Sequence, residues 1–363
     1  MTEAERAQAN LKVHSLDPLN AEPPLSRLAA AFVTPQSDLY IRTHGEVQHI
    51  AEADYRLRVG GRVARELELS VAELRERFAP RTVTATLQCA GNRRADLQEV
   101  AKTAGDPWAA GAVGNVRWTG VSLREVLEAA GAEAGADLQV AFLSPDEIEV
   151  EGETALFGVS IPMAKALQPD VLLAWEMNGE PLLPEHGFPL RAVVPGYAGV
   201  RSAKWVTQVC VQDAPAESPI QRKDYKLFPA EVAKEDADWE AGLTIDAMPL
   251  NSAICEPQPG AKLEAGPLVV RGWATASGRA IRRVDVSVDG ARTWAQAELQ
   301  QDASQPHAWT LWSLETKLEK GEHELVVRAF DEAMQTQPDT PDDTWNFAGY
   351  LATHRHRIHV SVQ

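Results

Sequence analysis

The sequence predicts an α+β chain that ends in an all-β, immunoglobulin-like sandwich. Three observations predict it. The first two-thirds mixes β-branched runs with short amphipathic helical stretches. After about residue 260 the pattern is nearly all short alternating runs between turn signals such as Val288-Asp289-Gly290. Between them, residues 213–260 carry scattered prolines and acidic residues ("DAPAESP", "CEPQPGAKLEAG"), the composition of a linker or a belt between domains. A length of 363 residues sets a prior of about two domains and is ample for a core. The expected division is an extended, Pro-containing lead-in over 1–38, a catalytic domain over 39–245 and the sandwich over 246–363.

Taken in order, "YRLRVGGRVARELELSVAELRERF" predicts a strand, a turn at Gly60-Gly61, a second strand and an amphipathic helix. "RTVTATLQCA" is β-branched and predicts a strand with Cys89 at its end. "SLREVLEAAGAEAG" places Leu123, Val126 and Leu127 at helical spacing before a glycine stop. "PLRAVVPG" and "AKWVTQVCV" are further strands. The sandwich strands are "PLVVRGWAT", "IRRVDVSVDG", "TWAQAEL", "AWTLWSLET", "GEHELVVRAFD" and "HRIHVSV".

Composition narrows the function. A net charge of −17 argues against non-specific nucleic-acid binding and against an anionic membrane surface. Any anionic substrate must therefore meet local positive charge. Three cysteines (Cys89, Cys210, Cys255) are too few for a disulfide framework, and no CxxC or CxxCH motif is present, so covalent haem is not expected. No run approaches 18 apolar residues, and "MTEAERAQANLKVHSLDPLN" lacks a basic start and an apolar stretch. The expected setting is soluble and cytoplasmic, with reduced thiols.

The chemistry concentrates in "TVTATLQCAGNRRADL", residues 82–97. A strand delivers Cys89 into a Gly-Asn turn followed by Arg93 and Arg94. Positive charge stabilises a thiolate, so Cys89 reads as a nucleophile, a redox thiol or a soft metal ligand. The plain alternative is a half-buried cysteine beside two solvated arginines. Other cations tilt the balance: Arg42 and His44 in "YIRTH", His186 and Arg191 in "EHGFPLR", Arg201 and Lys204 in "GVRSAKW". Taken singly, each is an ordinary surface cation. Counted with Arg93-Arg94 these are four clusters, flanked by Gly or aromatic residues in an acidic chain, and they suggest donors gathered around a phosphate. One thiolate plus a phosphate-binding arc suggests a phosphorylated metal cofactor.

"CAGNRR", "GNVRWTGVSL", "EMNGEPLLPEHGFPLR", "PGYAGVRSAKW" and "DYKLF", in this order, resemble the sulfite oxidase family of molybdenum enzymes over about residues 38–363. The resemblance implies a sulfite-oxidase-type molybdopterin-binding domain followed by the family's dimerisation domain, hence a homodimer. It implies one pyranopterin (molybdopterin) carrying molybdenum, with Cys89 as the protein's sulfur ligand and no haem. It places Tyr40, Arg42, His44, Asp146, His186, Arg191, Ser202, Ala203 and Lys204 around the cofactor. Arg42, Arg94, Trp108 (in "GDPW") and Tyr225 fall in the substrate pocket, where two guanidiniums suit a doubly charged oxyanion. The implied reaction is oxidation of sulfite to sulfate by oxo transfer, with electrons passed to an external acceptor: a cytochrome, another carrier or dioxygen.

The chain departs from the family's pattern in "WNFAGYLATHRHRIHV", where animal and plant members carry a further pocket arginine and this sequence has Ala348. That motivates a second reading, reduction of nitrate or of an S- or N-oxide on the same cofactor. A third is an interaction module with a vestigial pocket, for which metal content is the test. Five of the ten tryptophans lie in the sandwich (Trp273, Trp294, Trp309, Trp312, Trp345), and a small sandwich has limited interior, so at least one is expected at a subunit contact.

Overall fold

The computed structural model describes residues 2–363. The lead-in is not simply extended. It opens with a helix, Glu3–Asn10, whose capping box is formed by Thr2 and Glu5. Strands Lys12–Leu16 and Leu19–Glu22 follow as a hairpin, and Ile41–Arg42 adds a third strand with Asn20 opposite Arg42. The lead-in thereby becomes part of the scaffold that carries Arg42 in "YIRTH".

Two five-stranded sheets build the first domain. One holds Arg81–Gln88, Val113–Ser122 and Leu172–Met177, with Glu180–Pro181 and Arg191–Val193 both pairing with the last of these. The other runs Leu67–Leu69, Leu57–Gly61, Gln208–Gln212, Gln139–Val150, Glu153–Pro162, with its one parallel pairing between Gln208–Gln212 and Leu57–Gly61. Both helices that the periodicity predicts are present. Val71–Arg77 starts at a Ser70/Glu73 capping box. Leu123–Ala130 buries Leu123, Val126, Leu127 and Ala130 and stops at Gly131, whose φ of 64° suits a residue without Cβ. Four long strands gave no clear signal in the sequence. Leu172–Met177, for example, is buried at nearly every position and so shows no alternation.

The stretch 213–260 is only partly a belt. It contains a short helix, Pro219–Arg222, and a small hairpin of Lys226–Leu227 with Leu243–Thr244. It also contains Asn251–Glu256, the buried first strand of the sandwich. Pro249 and Pro257 flank that strand without interrupting it, so the local composition hides it. The sandwich closes a four-stranded sheet over a five-stranded one, around Ile254, Val270, Val284, Val327 and Ile358.

The surplus of tryptophan has a use within the chain. Trp273 and Trp309 are fully buried in the seam between the domains, among Leu25, Leu28 and Val113. Their indole N–H groups donate to the carbonyls of Ala110 at 3.3 Å and Phe32 at 2.9 Å. Trp312 belongs to the sandwich core. Trp294 and Trp345 are half-buried, and Trp294 lies beneath the Arg328 guanidinium at 4.0 Å. Among the described residues, no helix is long and apolar enough to cross a membrane.

Candidate active site

Strand Arg81–Gln88 delivers Cys89 into a loop pinned by backbone bonds. The Cys89 N–H donates to the Ala112 carbonyl at 2.9 Å, and the Cys89 carbonyl accepts from Asn92 at 3.0 Å. Arg93 then adopts φ 67°, and the two arginines part company. Arg93 enters the domain seam, fully buried. It pairs with Asp96 at 2.9 Å and donates to Asn251 Oδ1 at 3.0 Å and the His354 carbonyl at 2.6 Å. It is therefore a rivet between domains and not a partner of the thiol. Arg94 turns toward Cys89 through a slot that only glycines leave open. A Cβ on Gly91, Gly105 or Gly349 would stand 2.5, 2.7 or 2.7 Å from its side-chain atoms. Its Nε and Nη1 donate to the carbonyls of Gly349 and Asp106, each at 3.1 Å, and its guanidinium lies 5.2 Å from the Tyr350 ring centre. Burial pushes the Cys89 thiol up, while Arg42, Arg94 and the Gly91 N–H pull it the other way.

On one side of Cys89 a narrow inner cavity is lined by Tyr40, Arg42, His44, Asp146, His186, Arg191, Ser202, Ala203 and Lys204. The structure thus brings together all nine residues that the resemblance placed around a cofactor. Arg191 donates to the carbonyls of His186 and Ser202, each at 2.9 Å, and Lys204 to that of Glu185 at 3.0 Å. These bonds hold the cations in place without neutralising them. Burial, reinforced by Arg191 and Lys204, brings His186 down to about 4 despite Glu185. Burial first, then Arg191, holds Lys204 below the usual lysine range, and burial raises Asp146 above the usual carboxylate range. Arg201, from the same motif as Lys204, points elsewhere: it is buried against Asp246 at 3.0 Å.

The residues fit a phosphorylated pterin that carries a soft metal. Buried cations whose protons are loosened first by burial and then by one another are completed by a dianionic group. Asp146 Oδ1 is buried without a hydrogen-bond partner, an acceptor waiting for an N–H donor. Cys89 supplies one sulfur, and among the described residues no group of three or more His, Cys, Asp or Glu is placed to hold a metal alone. A metal at Cys89 therefore needs the further ligands that a dithiolene carrier brings.

On the other side of Cys89 lies a wider cleft of about 470 Å³, which shares Arg42, His44 and Tyr225 with the inner cavity and adds Arg94, Tyr350 and Ala348. Arg42 and Arg94 form no ion pair with a carboxylate among the described residues. Tyr225 sits at φ 48°, and its hydroxyl lies 2.8 Å from His44 Nε2. Burial, then Arg42 and Lys204, keeps His44 well below its ordinary value, and burial raises Tyr225, so a proton bridges two uncharged groups. Tyr350 stacks on Tyr225 with ring centres 5.0 Å apart and is hydrogen-bonded to Asp224. Trp108, expected in the substrate pocket, lines neither cavity. It has no exposed surface and stands behind the Cys89 loop, edge-on to His14 at 4.8 Å and Tyr40 at 6.4 Å. Tyr350 and Asp224 escaped the sequence reading because nothing local marks them: "WNFAGYL" meets "DYKLF" only in the fold.

A cysteine between a cationic cofactor cavity and a cleft that carries two guanidiniums without carboxylate partners fits a molybdopterin-dependent oxidoreductase. Residues 44–220 match the oxidoreductase molybdopterin binding domain, and residues 243–363 match the Mo-co oxidoreductase dimerisation domain. The chain is 44% identical over 356 residues to sulfite oxidase of Gallus gallus, covering 96% of this chain and 77% of the relative. It is 40% identical over 362 residues to mitochondrial sulfite oxidase of Homo sapiens, covering 97% of this chain and 66% of that one. Its fold matches the crystal structure of the sulfane dehydrogenase SoxCD from Paracoccus pantotrophus with a TM-score of 0.82 and 28% identity, over 98% of this chain and 89% of the other. The chain belongs to the sulfite oxidase family.

Cofactor-free protein is expected to be stabilised by inorganic sulfate, which is a dianion at both pH values, and more at pH 6 than at pH 9. Lys204 and His186 are held below their ordinary values, so dianion binding draws protons onto them and strengthens as pH falls. Without the anion the sign reverses. Between the lowered folded value of Lys204 and its ordinary value, the unfolded chain binds more protons, so stability rises with pH. At ten times Kd sulfate contributes about 1.4 kcal/mol, which differential scanning fluorimetry reads as roughly 2–6 °C in Tm. A larger shift at pH 9 contradicts the assignment.

Proposed function

We propose that the protein oxidises sulfite to sulfate and passes the electrons to an external one-electron acceptor. The observation that carries the reading is the convergence of two guanidiniums without carboxylate partners, Arg42 and Arg94, on the buried thiol of Cys89. Cys89 would hold molybdenum, and the inner cavity would hold the pterin through Arg191, His186, Lys204 and Asp146. When bound, that cofactor supplies two-electron oxygen-atom transfer. The chain's own residues bind, orient and screen. Arg42 and Arg94 offset both charges of sulfite and direct its oxygens toward themselves, which leaves the sulfur lone pair facing the Cys89 side. Tyr225 and His44 stay neutral, so the floor presents a hydrogen-bonding hydroxyl and no added negative charge. The Tyr350 ring stands against the Arg94 guanidinium at 5.2 Å. The balance is SO₃²⁻ + H₂O → SO₄²⁻ + 2H⁺ + 2e⁻. The test is stoichiometric molybdenum together with sulfite-dependent ferricyanide reduction; molybdenum-replete protein that leaves sulfite untouched refutes the reading.

The proposal includes a homodimer formed through the sandwich and a cytoplasmic setting. The match to a dimerisation domain supports the first, as does the prevalence of two-fold closure among soluble oligomers. Three free cysteines, with no disulfide among the described residues, suit a reducing compartment. Sedimentation equilibrium at micromolar concentration is expected to give a species near twice the 39.6 kDa chain mass. A monomer with full activity excludes an obligate dimer.

A further inference from the structure

The outer cleft is larger than sulfite requires. It measures about 470 Å³, whereas a four-heavy-atom oxyanion fills on the order of 100 Å³ at roughly 30 Å³ per water-sized atom. Its lining combines two chemistries: Arg42 and Arg94 line it together with Cys89, and Trp239, Phe347 and Ala348 give it an apolar wall. The rings fix one another. Trp239 stands edge-on to Phe228 at 5.3 Å and to Phe347 at 6.0 Å. The rim lysines do not compete for an anion, because Lys234 pairs with Glu151 at 2.9 Å and Lys223 with Glu153 at 2.8 Å. Ala348 adds only a methyl group to the same lining.

We propose that this cleft also accepts organic sulfinates, R–SO₂⁻, with the sulfinate oxygens on Arg42 and Arg94 and the apolar R group against Trp239 and Phe347. The inference rests on the sulfite-oxidising reading of the same site. A sulfinate is sulfite with one oxygen replaced by carbon. It keeps the sulfur lone pair and two oxygens for two guanidiniums, and its carbon substituent takes the outward position. The step balances as R–SO₂⁻ + H₂O → R–SO₃⁻ + 2H⁺ + 2e⁻. The lone pair becomes the new S–O bond, the oxygen derives from water, and no S–C bond breaks. Two electrons leave to two equivalents of a one-electron acceptor, here ferricyanide. The single charge weakens the ionic contact, and burial of R against the rings offsets that loss.

Molybdenum-replete enzyme is assayed with sulfite, methanesulfinate and benzenesulfinate against ferricyanide, and the sulfonate product is identified by mass spectrometry. The expected result is two ferricyanides reduced per sulfonate formed, with kcat/KM for benzenesulfinate roughly tenfold or more above that for methanesulfinate. In Trp239→Ala the ratio of benzenesulfinate to sulfite kcat/KM falls by about the same factor. In Ala348→Arg that ratio also falls, because a guanidinium replaces a methyl group in the apolar wall. If sulfite turns over but neither sulfinate is oxidised or competes with it, the inference is overturned and the sulfite reading stands. If nothing turns over, both fall. If sulfinates react but Trp239→Ala leaves the ratio unchanged, the assigned wall is wrong.

Discussion

Cys89→Ser folds like the parent and shows no measurable sulfite turnover. The fold survives because the bonds that set this loop, to Ala112 and Asn92, are made by the Cys89 backbone. The side chain is buried and the replacement is close in volume, so little packing is lost. The chemistry fails because a hydroxyl is a harder, more weakly donating ligand and does not ionise in a site whose burial already raises a thiol. Loss of a first ligand should exceed the 10–100-fold typical of outer partners, so a drop on the order of a hundredfold or more is expected. Thermal unfolding, molybdenum content and ferricyanide-coupled turnover are measured together. Turnover within tenfold of the parent refutes Cys89 as the ligand.

Arg94→Met raises the KM for sulfite by roughly 10- to 150-fold, the equivalent of about 1.5–3 kcal/mol for a hydrogen bond to a charged group in a desolvated site. Arg94 is 6% exposed, so little solvent screens it. Methionine keeps the length of the stem while removing the charge and the donors, which leaves the Gly349 and Asp106 carbonyls to water in the cleft. Gly349→Ala tests the same residue from outside. At φ 65° and 2.7 Å from Arg94 Cγ, a new Cβ displaces the guanidinium and raises KM in the same direction. An unchanged KM and kcat in Arg94→Met removes Arg94 from the substrate floor.

Both helices of the first domain that could be read were legible because each buries one stripe and has its stop signal in the chain. The sandwich strands were legible because one face of each meets solvent. Leu172–Met177 and Asn251–Glu256 were not, since strands buried on both faces carry no alternation. The site divides in the same way. Cys89, Arg42 and the Lys204 segment lie in local motifs that announce themselves. Trp108 was misplaced and Arg93 credited with the wrong task because sequence adjacency says nothing about side-chain direction. The left-handed φ of Arg93 sends two neighbouring guanidiniums to different places. Tyr350 was missed because its partners Arg94 and Tyr225 lie more than a hundred residues away in the chain.

That parting of neighbours makes the two domains a single unit of inheritance. Arg93 is anchored on Asn251 and His354, and Arg94 on Gly349 and Tyr350, all contributed from beyond residue 248. The position of Arg94 is thus written partly in the C-terminal half, although Cys89 lies in the other domain. A chimera that joins this catalytic half to another family member's sandwich would keep the cofactor cavity and misplace an anion-binding arm. A substitution at Ala348 or Phe347 in the C-terminal half therefore alters the lining of the cleft beside Cys89 without any change in the domain that holds that cysteine.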